Sequence, residues 1–139
     1  MAVTLRDFMS GEDVLTIEPT ATLEAAAHKM AGRNVGAAVV VDDRGGIAGI
    51  FTERDLLRAV AGGVKPESAD VRSHMTSNPV TLPPDHSPSE AAQIMSEGRF
   101  RHIPVVDSGE LVGIVSIRDL VQVGLHIQTA DAHMGTDFP

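Results

Sequence analysis

The sequence predicts an α+β fold: two pseudo-twofold-related β-α-β-β-α repeats packed sheet to sheet, with two equivalent clefts between them. Three observations carry this. First, the chain aligns with itself. Thr16 falls on Thr81, Pro19 on Pro84, Ala26-Ala27 on Ala91-Ala92, Met30 on Met95 and Asp42 on Asp107, all at a shift of 65 residues. Ahead of Thr16 the shift is 66, pairing Met9 with Met75 and Val14 with Val80, and after the central turn it is 64, pairing Gly49 with Gly113 and Asp55 with Asp119. Matches that keep their order over both halves mark an internal repeat. Second, strand-like and helix-like patterns follow one another in the same order in each half. Third, one short phrase at a strand-to-helix junction is written twice. A single such unit has too little apolar face to stand alone, so the two halves must pack together.

In the first repeat, expected over residues 5–63, Val14 to Ile17 is a short apolar stretch ended by Glu18-Pro19. Thr22 is a credible N-cap, and Leu23, Ala26, Ala27 and Met30 are spaced for one helical face that Gly32 is expected to end. Ala37 to Val41 is a continuous branched run, the pattern of a strand buried on both faces. Asp43-Arg44-Gly45-Gly46 reads as a turn into a second strand, Ile47 to Phe51, antiparallel by hairpin logic. Glu53 to Ala61 is then a helix with Leu56, Leu57 and Val60 expected inward, stopped by Gly62-Gly63.

The second repeat, expected over residues 71–125, keeps this order. Ser87-Pro88-Ser89-Glu90 supplies a hydroxyl N-cap, a proline at the first helical position and a glutamate at the third. Ala91, Ile94 and Met95 give the buried stripe. His102 to Val106, a turn at Asp107-Ser108-Gly109, and Leu111 to Val115 form the hairpin, and Arg118 to Gly124 starts the last helix. Gly62 to Arg72 is a polar, turn-rich connector. The tail, residues 126–139, has no clear period and is expected to be loose or engaged with a partner subunit.

Composition excludes several functions. The net charge is −8, against a nucleic-acid partner, which needs clustered Lys and Arg. Trp and Tyr are absent and Phe occurs four times, so stacking platforms for single strands are missing. Cysteine is absent, removing disulfides and thiolate metal sites. The start lacks the basic and apolar regions of a signal peptide, and no apolar run approaches a membrane span. A soluble cytoplasmic protein is expected, with no membrane partner. The scattered histidines have no carboxylate at metal-ligand spacing, so no metal is expected. Met9, Met30, Met75 and Met95 sit at matched positions and read as core filler.

The repeated phrase is Gly49-Ile50-Phe51-Thr52-Glu53-Arg54-Asp55-Leu56, answered by Gly113-Ile114-Val115-Ser116-Ile117-Arg118-Asp119-Leu120. A hydroxyl at a helix N-cap with a carboxylate three residues on is a capping arrangement. It also places backbone N–H groups, a hydroxyl and an acceptor at a helix N-terminus, which suits a sugar and a phosphate. An ionised aspartate accepts from both hydroxyls of a ribose at once.

On these residues the chain resembles a tandem pair of CBS domains, a stand-alone Bateman module, over roughly Leu5 to Leu125. The carrying motif is glycine-hydrophobic-x-Thr/Ser-x-x-Asp, supported by the strand Arg101-His102-Ile103-Pro104-Val105-Val106-Asp107. The resemblance implies adenosine-containing ligands in the clefts: AMP, ADP or ATP, or else NAD or S-adenosylmethionine, with no obligatory cofactor. It implies that one cleft pairs Ile50, Thr52 and Asp55 with Val80, Phe100, Arg101 and His102, and the other Ile114, Ser116 and Asp119 with Val14, Val35 and Gly36. Arg101 and His102 would bring positive charge to phosphates, favouring the Asp55 cleft, whereas Gly36 and Ala37, their counterparts, bring none.

The resemblance also implies a homodimer and a regulated partner protein that reads a ligand-dependent change. No nucleophile-and-base constellation stands out, so an enzyme is not expected. The alternative is a protein-interaction module with vestigial ligand sites. A third possibility, nucleotide hydrolysis with His102 as base, requires product formation.

Overall fold

The computed structural model describes residues 3–9 and 14–122. The chain divides into two compact units: residues 14–79 form one, and residues 80–122 together with 3–9 form the other.

In the first unit, strand β1 (Thr16–Ile17) leads to helix α1 (Leu23–Arg33), β2 (Ala37–Val41), β3 (Ile47–Thr52), α2 (Glu53–Ala61) and β4 (Thr76–Ser77). The four strands make one sheet in the order β1-β2-β3-β4. β1 runs parallel to β2, and the β2–β3 hairpin is antiparallel with Ala37 opposite Thr52. Thr22 caps α1 as expected, its side chain accepting the Ala25 N–H at 3.0 Å. Gly32 does not end that helix. The chain runs one residue further, and Asn34 supplies the left-handed C-cap at φ 54°, since an asparagine tolerates that conformation while closing the last turn.

A second departure concerns α2. Leu57 and Val60, expected inward, are 61% and 51% exposed, and Ala59 is the buried residue. The strand-to-helix junction fixes the helix phase, and that phase turns Leu56 and Ala59 to the core.

The second unit contains α3 (Pro88–Gly98), β5 (His102–Asp107), β6 (Glu110–Ser116) and α4 (Ile117–Gln122). Ser87 caps α3 with Pro88 at its start, and its hydroxyl accepts the Glu90 N–H at 3.1 Å. Ser108 and Gly109 make the hairpin turn with φ of 53° and 84°. Both central residues at positive φ match the twist of the flanking strands. The counterpart of β1 shrinks to a single bridge, Leu82 with Val105, because Pro83 and Pro84 follow and have no N–H to donate. The expected end of the last helix, residues 123–124, and the tail lie outside the described residues.

The leading segments are the least expected feature. Leu5–Asp7 and Val71–Ser73 are 3₁₀ turns. Leu5 N–H donates to His86 O at 2.9 Å and Arg6 N–H to Pro84 O at 3.1 Å; Val71 N–H donates to Ala21 O at 2.8 Å and Arg72 N–H to Pro19 O at 3.0 Å. These partners correspond under the repeat. Leu5 is fully buried in the core with Leu82, Met95, Ile103 and Val115, and Val71 in the core with Ile17, Leu23, Met30 and Phe51. Each leading turn therefore completes the core of the repeat it does not precede by strand order.

The motif glycines follow from this. A Cβ at Gly49 would stand 2.6 Å from Met75 Sδ and from Thr76 O, and one at Gly113 2.8 Å from Met9 Sδ. Each glycine lets a methionine from the leading segment lie against the strand.

Candidate functional site

In the first unit the sheet brings six of the expected residues to one end. Val14 precedes β1, and Val35 and Gly36 precede β2, its parallel neighbour. β3 runs the other way, so Thr52 at its end, followed by Asp55, arrives at the same place, with Ile50 two residues back and buried. The second unit repeats the gathering. Val80 precedes the Leu82 bridge; Phe100, Arg101 and His102 enter β5; Ser116 pairs with His102, Ile114 with Pro104, and Asp119 follows in α4. Within each unit, then, the residues that meet come from one repeat. Arg101 and His102 share an end with Ser116 and Asp119.

Both motif pairs form reciprocal caps. Asp55 N–H donates to Thr52 Oγ1 at 3.2 Å, while Asp55 Oδ2 accepts from Thr52 N–H at 2.9 Å and from the Thr52 hydroxyl at 3.1 Å. Ser116 N–H donates to Asp119 Oδ2 at 2.9 Å, and Asp119 N–H to Ser116 Oγ at 3.1 Å. In each aspartate one oxygen does the capping. The caps all fall on Oδ2, so Oδ1 takes no part in them. Capping and holding a ligand hydroxyl are therefore compatible in one carboxylate, because the two tasks fall on different oxygens.

The helix N–H groups are a different matter. The first N–H of α2, on Glu53, donates to Gly36 O at 2.9 Å, and the third is taken by Thr52. Ile117 N–H likewise donates to Arg101 O at 2.9 Å, and the third N–H of α4 goes to Ser116. Two of the first three N–H groups at each helix start are thus taken by the protein's own acceptors.

Electrostatics separate the two ends. Burial pushes the Asp55 carboxyl above its ordinary value, against the lowering effect of the Thr52 hydrogen bonds and the charges of Arg58 and His74. His102 is lowered to about 4, chiefly by burial, with the Asp119 charge opposing and those of Arg101 and Arg118 assisting. At neutral pH it is an uncharged imidazole, so the positive charge expected of it is absent, and Arg101 alone remains as the cation of that pair.

Stability should depend on pH for the same reason. A histidine whose folded pKa lies below its unfolded value of about 6.5 binds its proton more readily in the unfolded chain. Its contribution is complete above pH 6.5 and drains away as the pH falls toward 4. Between pH 7 and 5 the loss is expected to reach about 2 kcal/mol. Thermal unfolding across that range reads it directly, and His102→Gln should flatten the dependence; an equal acid loss in the variant would clear His102 of the role.

One residue at this end escaped the sequence reading. Glu53 lies with its carboxylate over Gly36, Oε1 only 3.1 Å from where a Cβ would stand. The signal was present in the alignment, since Glu53 answers Ile117 while Gly36 answers Arg101. Among the described residues no cluster of His, Asp or Glu is suited to hold a metal ion, and no helix is long and apolar enough to cross a membrane.

Comparison with known proteins places this geometry. A CBS domain family model matches residues 5–62 and 69–126. An uncharacterised 17.7 kDa protein of Acidianus ambivalens is 36% identical over 84% of this chain and 70% of its own length. The chain spans only 19% of CBS domain-containing proteins of Arabidopsis thaliana that it matches at 38% identity. Among solved structures, a CBS domain protein from Pyrobaculum aerophilum complexed with AMP superposes with a TM-score of 0.80 at 29% identity, covering 88% of this chain and 98% of that one. A CBS domain pair in complex with 5′-methylthioadenosine and S-adenosyl-L-methionine gives 0.80 at 27% identity, covering 87% and 98%.

Proposed function

This chain belongs to the CBS-domain family, and on that premise we propose that it is a regulatory sensor of an adenosine-containing small molecule, whose bound state is read by a partner protein. The observation that carries this reading is the doubled hydroxyl–carboxylate pair with one oxygen of Asp55 and one of Asp119 left over after capping. Each spare oxygen is an ionic acceptor for a ribose hydroxyl, a strong class of hydrogen bond. Thr52 and Ser116 stand beside them as further hydroxyl partners. Val14, Val35, Gly36, Ile50, Val80, Phe100 and Ile114 supply the apolar and backbone surface for the base, and Arg101 and His102 a cation and a neutral donor. The adenosine compounds held by the two solved relatives support the ligand class. The exposed stripe of Leu57 and Val60 on α2 supports association of two copies.

The chain is regulatory rather than catalytic in this reading: Ser116, opposite His102 in the β5–β6 pairing, has its hydroxyl oxygen accepting the Asp119 N–H as a helix cap. A ligand that prefers the folded state raises its stability, by about 2.7 kcal/mol at a hundred times its Kd. For a domain of this size that is roughly a 10 °C rise in Tm. Thermal unfolding of refolded, ligand-stripped protein with millimolar AMP, ADP, ATP, NAD or S-adenosylmethionine is the test. Indifference to all five removes the sensor and leaves a protein-interaction module.

A further inference from the structure

We propose that Glu53 sets the charge class of ligand accepted at the Asp55 end. It admits adenosine compounds whose 5′ substituent is neutral or cationic and rejects those carrying a 5′-phosphate. The inference rests on the ribose reading of Asp55 and adds to it a discriminating residue.

Matched positions in the two units carry opposite charge. In the second unit the residue entering β5 is Arg101, and its carbonyl accepts the N–H of Ile117, the first residue of α4. In the first unit the residue entering β2 is Gly36, and its carbonyl accepts the N–H of Glu53, the first residue of α2. The backbone is the same, and the side chains are exchanged: a cation beside an aliphatic residue in one, an anion beside no side chain in the other. The change amounts to two units of charge at one place in the fold. It is coupled to size as well. The Glu53 carboxylate occupies the space over Gly36, with Oε1 and Cδ at 3.1 and 3.2 Å from the position a Cβ would take. A side chain at residue 36 would press on it, making the carboxylate give by a few tenths of an ångström, so the glycine leaves the acid its room.

The charge lies beside the carboxylate that this reading gives to the ribose. Thr52, Glu53 and Asp55 are within one turn of each other, and two of the first three backbone N–H groups of α2 are spent, Glu53 N–H on Gly36 O and Asp55 N–H on Thr52 Oγ1. A phosphate arriving with its ribose on Asp55 meets a second carboxylate and no compensating backbone donor from these two groups. A thioether or a sulfonium meets no such penalty, and a sulfonium is attracted. Like-charge juxtaposition at a binding surface acts mainly as a filter against wrong partners.

The test isolates this end by working in a chain carrying Asp119→Asn and measuring calorimetric affinities for AMP, 5′-methylthioadenosine and S-adenosylmethionine, with and without Glu53→Gln. The exchange is isosteric on an exposed first helical position, so folding is retained. The expected result is a roughly tenfold gain for AMP, little change for methylthioadenosine and a loss for S-adenosylmethionine. The AMP gain should shrink in 1 M salt, where the screening length falls to about 3 Å. If methylthioadenosine binds but the Glu53→Gln change leaves AMP affinity where it was, the discrimination is overturned and the ribose reading stands. If none of the three compounds binds either chain, the ribose reading itself fails and the inference falls with it.

Discussion

Asp55→Asn is expected to remove most of the stabilisation that an adenosine compound confers at this end while leaving the ligand-free protein as stable as before. The two halves of that expectation have separate physical causes. For the ligand, an ionised acceptor becomes an amide. A charge-assisted hydrogen bond contributes about 1.5–3 kcal/mol, and two ribose hydroxyls on one carboxylate make the loss on the order of 100-fold in affinity. For the fold, the capping contacts survive the exchange. The amide oxygen still accepts from Thr52 N–H, where Asp55 Oδ2 now does at 2.9 Å, and the backbone N–H of residue 55 still donates to Thr52 Oγ1. What is lost is the attraction of a carboxylate to the helix N-terminus, typically about 0.3–1 kcal/mol. Against it stands the burial that holds the Asp55 pKa up. By linkage, an acid whose folded pKa is raised costs the folded state stability above that pKa, and asparagine has no such cost at any pH. Paired unfolding curves, with and without ligand, separate the two. A variant that loses several kcal/mol without ligand would make Asp55 a cap first and a sugar acceptor never.

The repeat made the architecture legible before any coordinates, because two copies of each turn, cap and strand agree with one another. The Thr22 and Ser87 caps, the β2–β3 and β5–β6 hairpins and the span of α2 all followed from local chemistry that tertiary packing did not overrule. The misses are of another kind. Gly32 is a local signal for a helix end, and Asn34, two residues later, closes the helix more completely in the left-handed conformation. Leu57 and Val60 are strongly apolar, yet the phase of α2 is set at the Thr52–Asp55 junction and turns them outward. The candidate site was legible as residue types but not as contacts. That the first N–H of α2 is consumed by Gly36 O depends on the α1–β2 connection arriving beside the β3–α2 junction, which no periodicity encodes. The same is true of the Glu53 carboxylate resting on Gly36.

The leading segments were the hardest to read. Leu5 finds its backbone partner at His86, far along the chain, and Val71 reaches back to Ala21; the repeat alone does not say which copy each turn serves. Leu5→Ala is therefore expected to destabilise the unit that contains the second repeat. Leu5 is fully buried among Leu82, Met95, Ile103, Val115 and Leu120, and truncating such a leucine costs about 3 kcal/mol through lost transfer energy and the cavity left behind. Val71→Ala, the matched change in the other unit, removes fewer atoms and should cost about 2 kcal/mol. Native-state hydrogen exchange distinguishes the two: amides of β5 and β6 should lose protection selectively in Leu5→Ala, and those of β2 and β3 in Val71→Ala, because sub-global openings report local stability. The two patterns exchanged would return each leading turn to the repeat it precedes in sequence. The expected pattern instead makes each 3₁₀ turn a clamp on the far repeat's hairpin, with the Met9–Gly113 and Met75–Gly49 contacts as its fixed points.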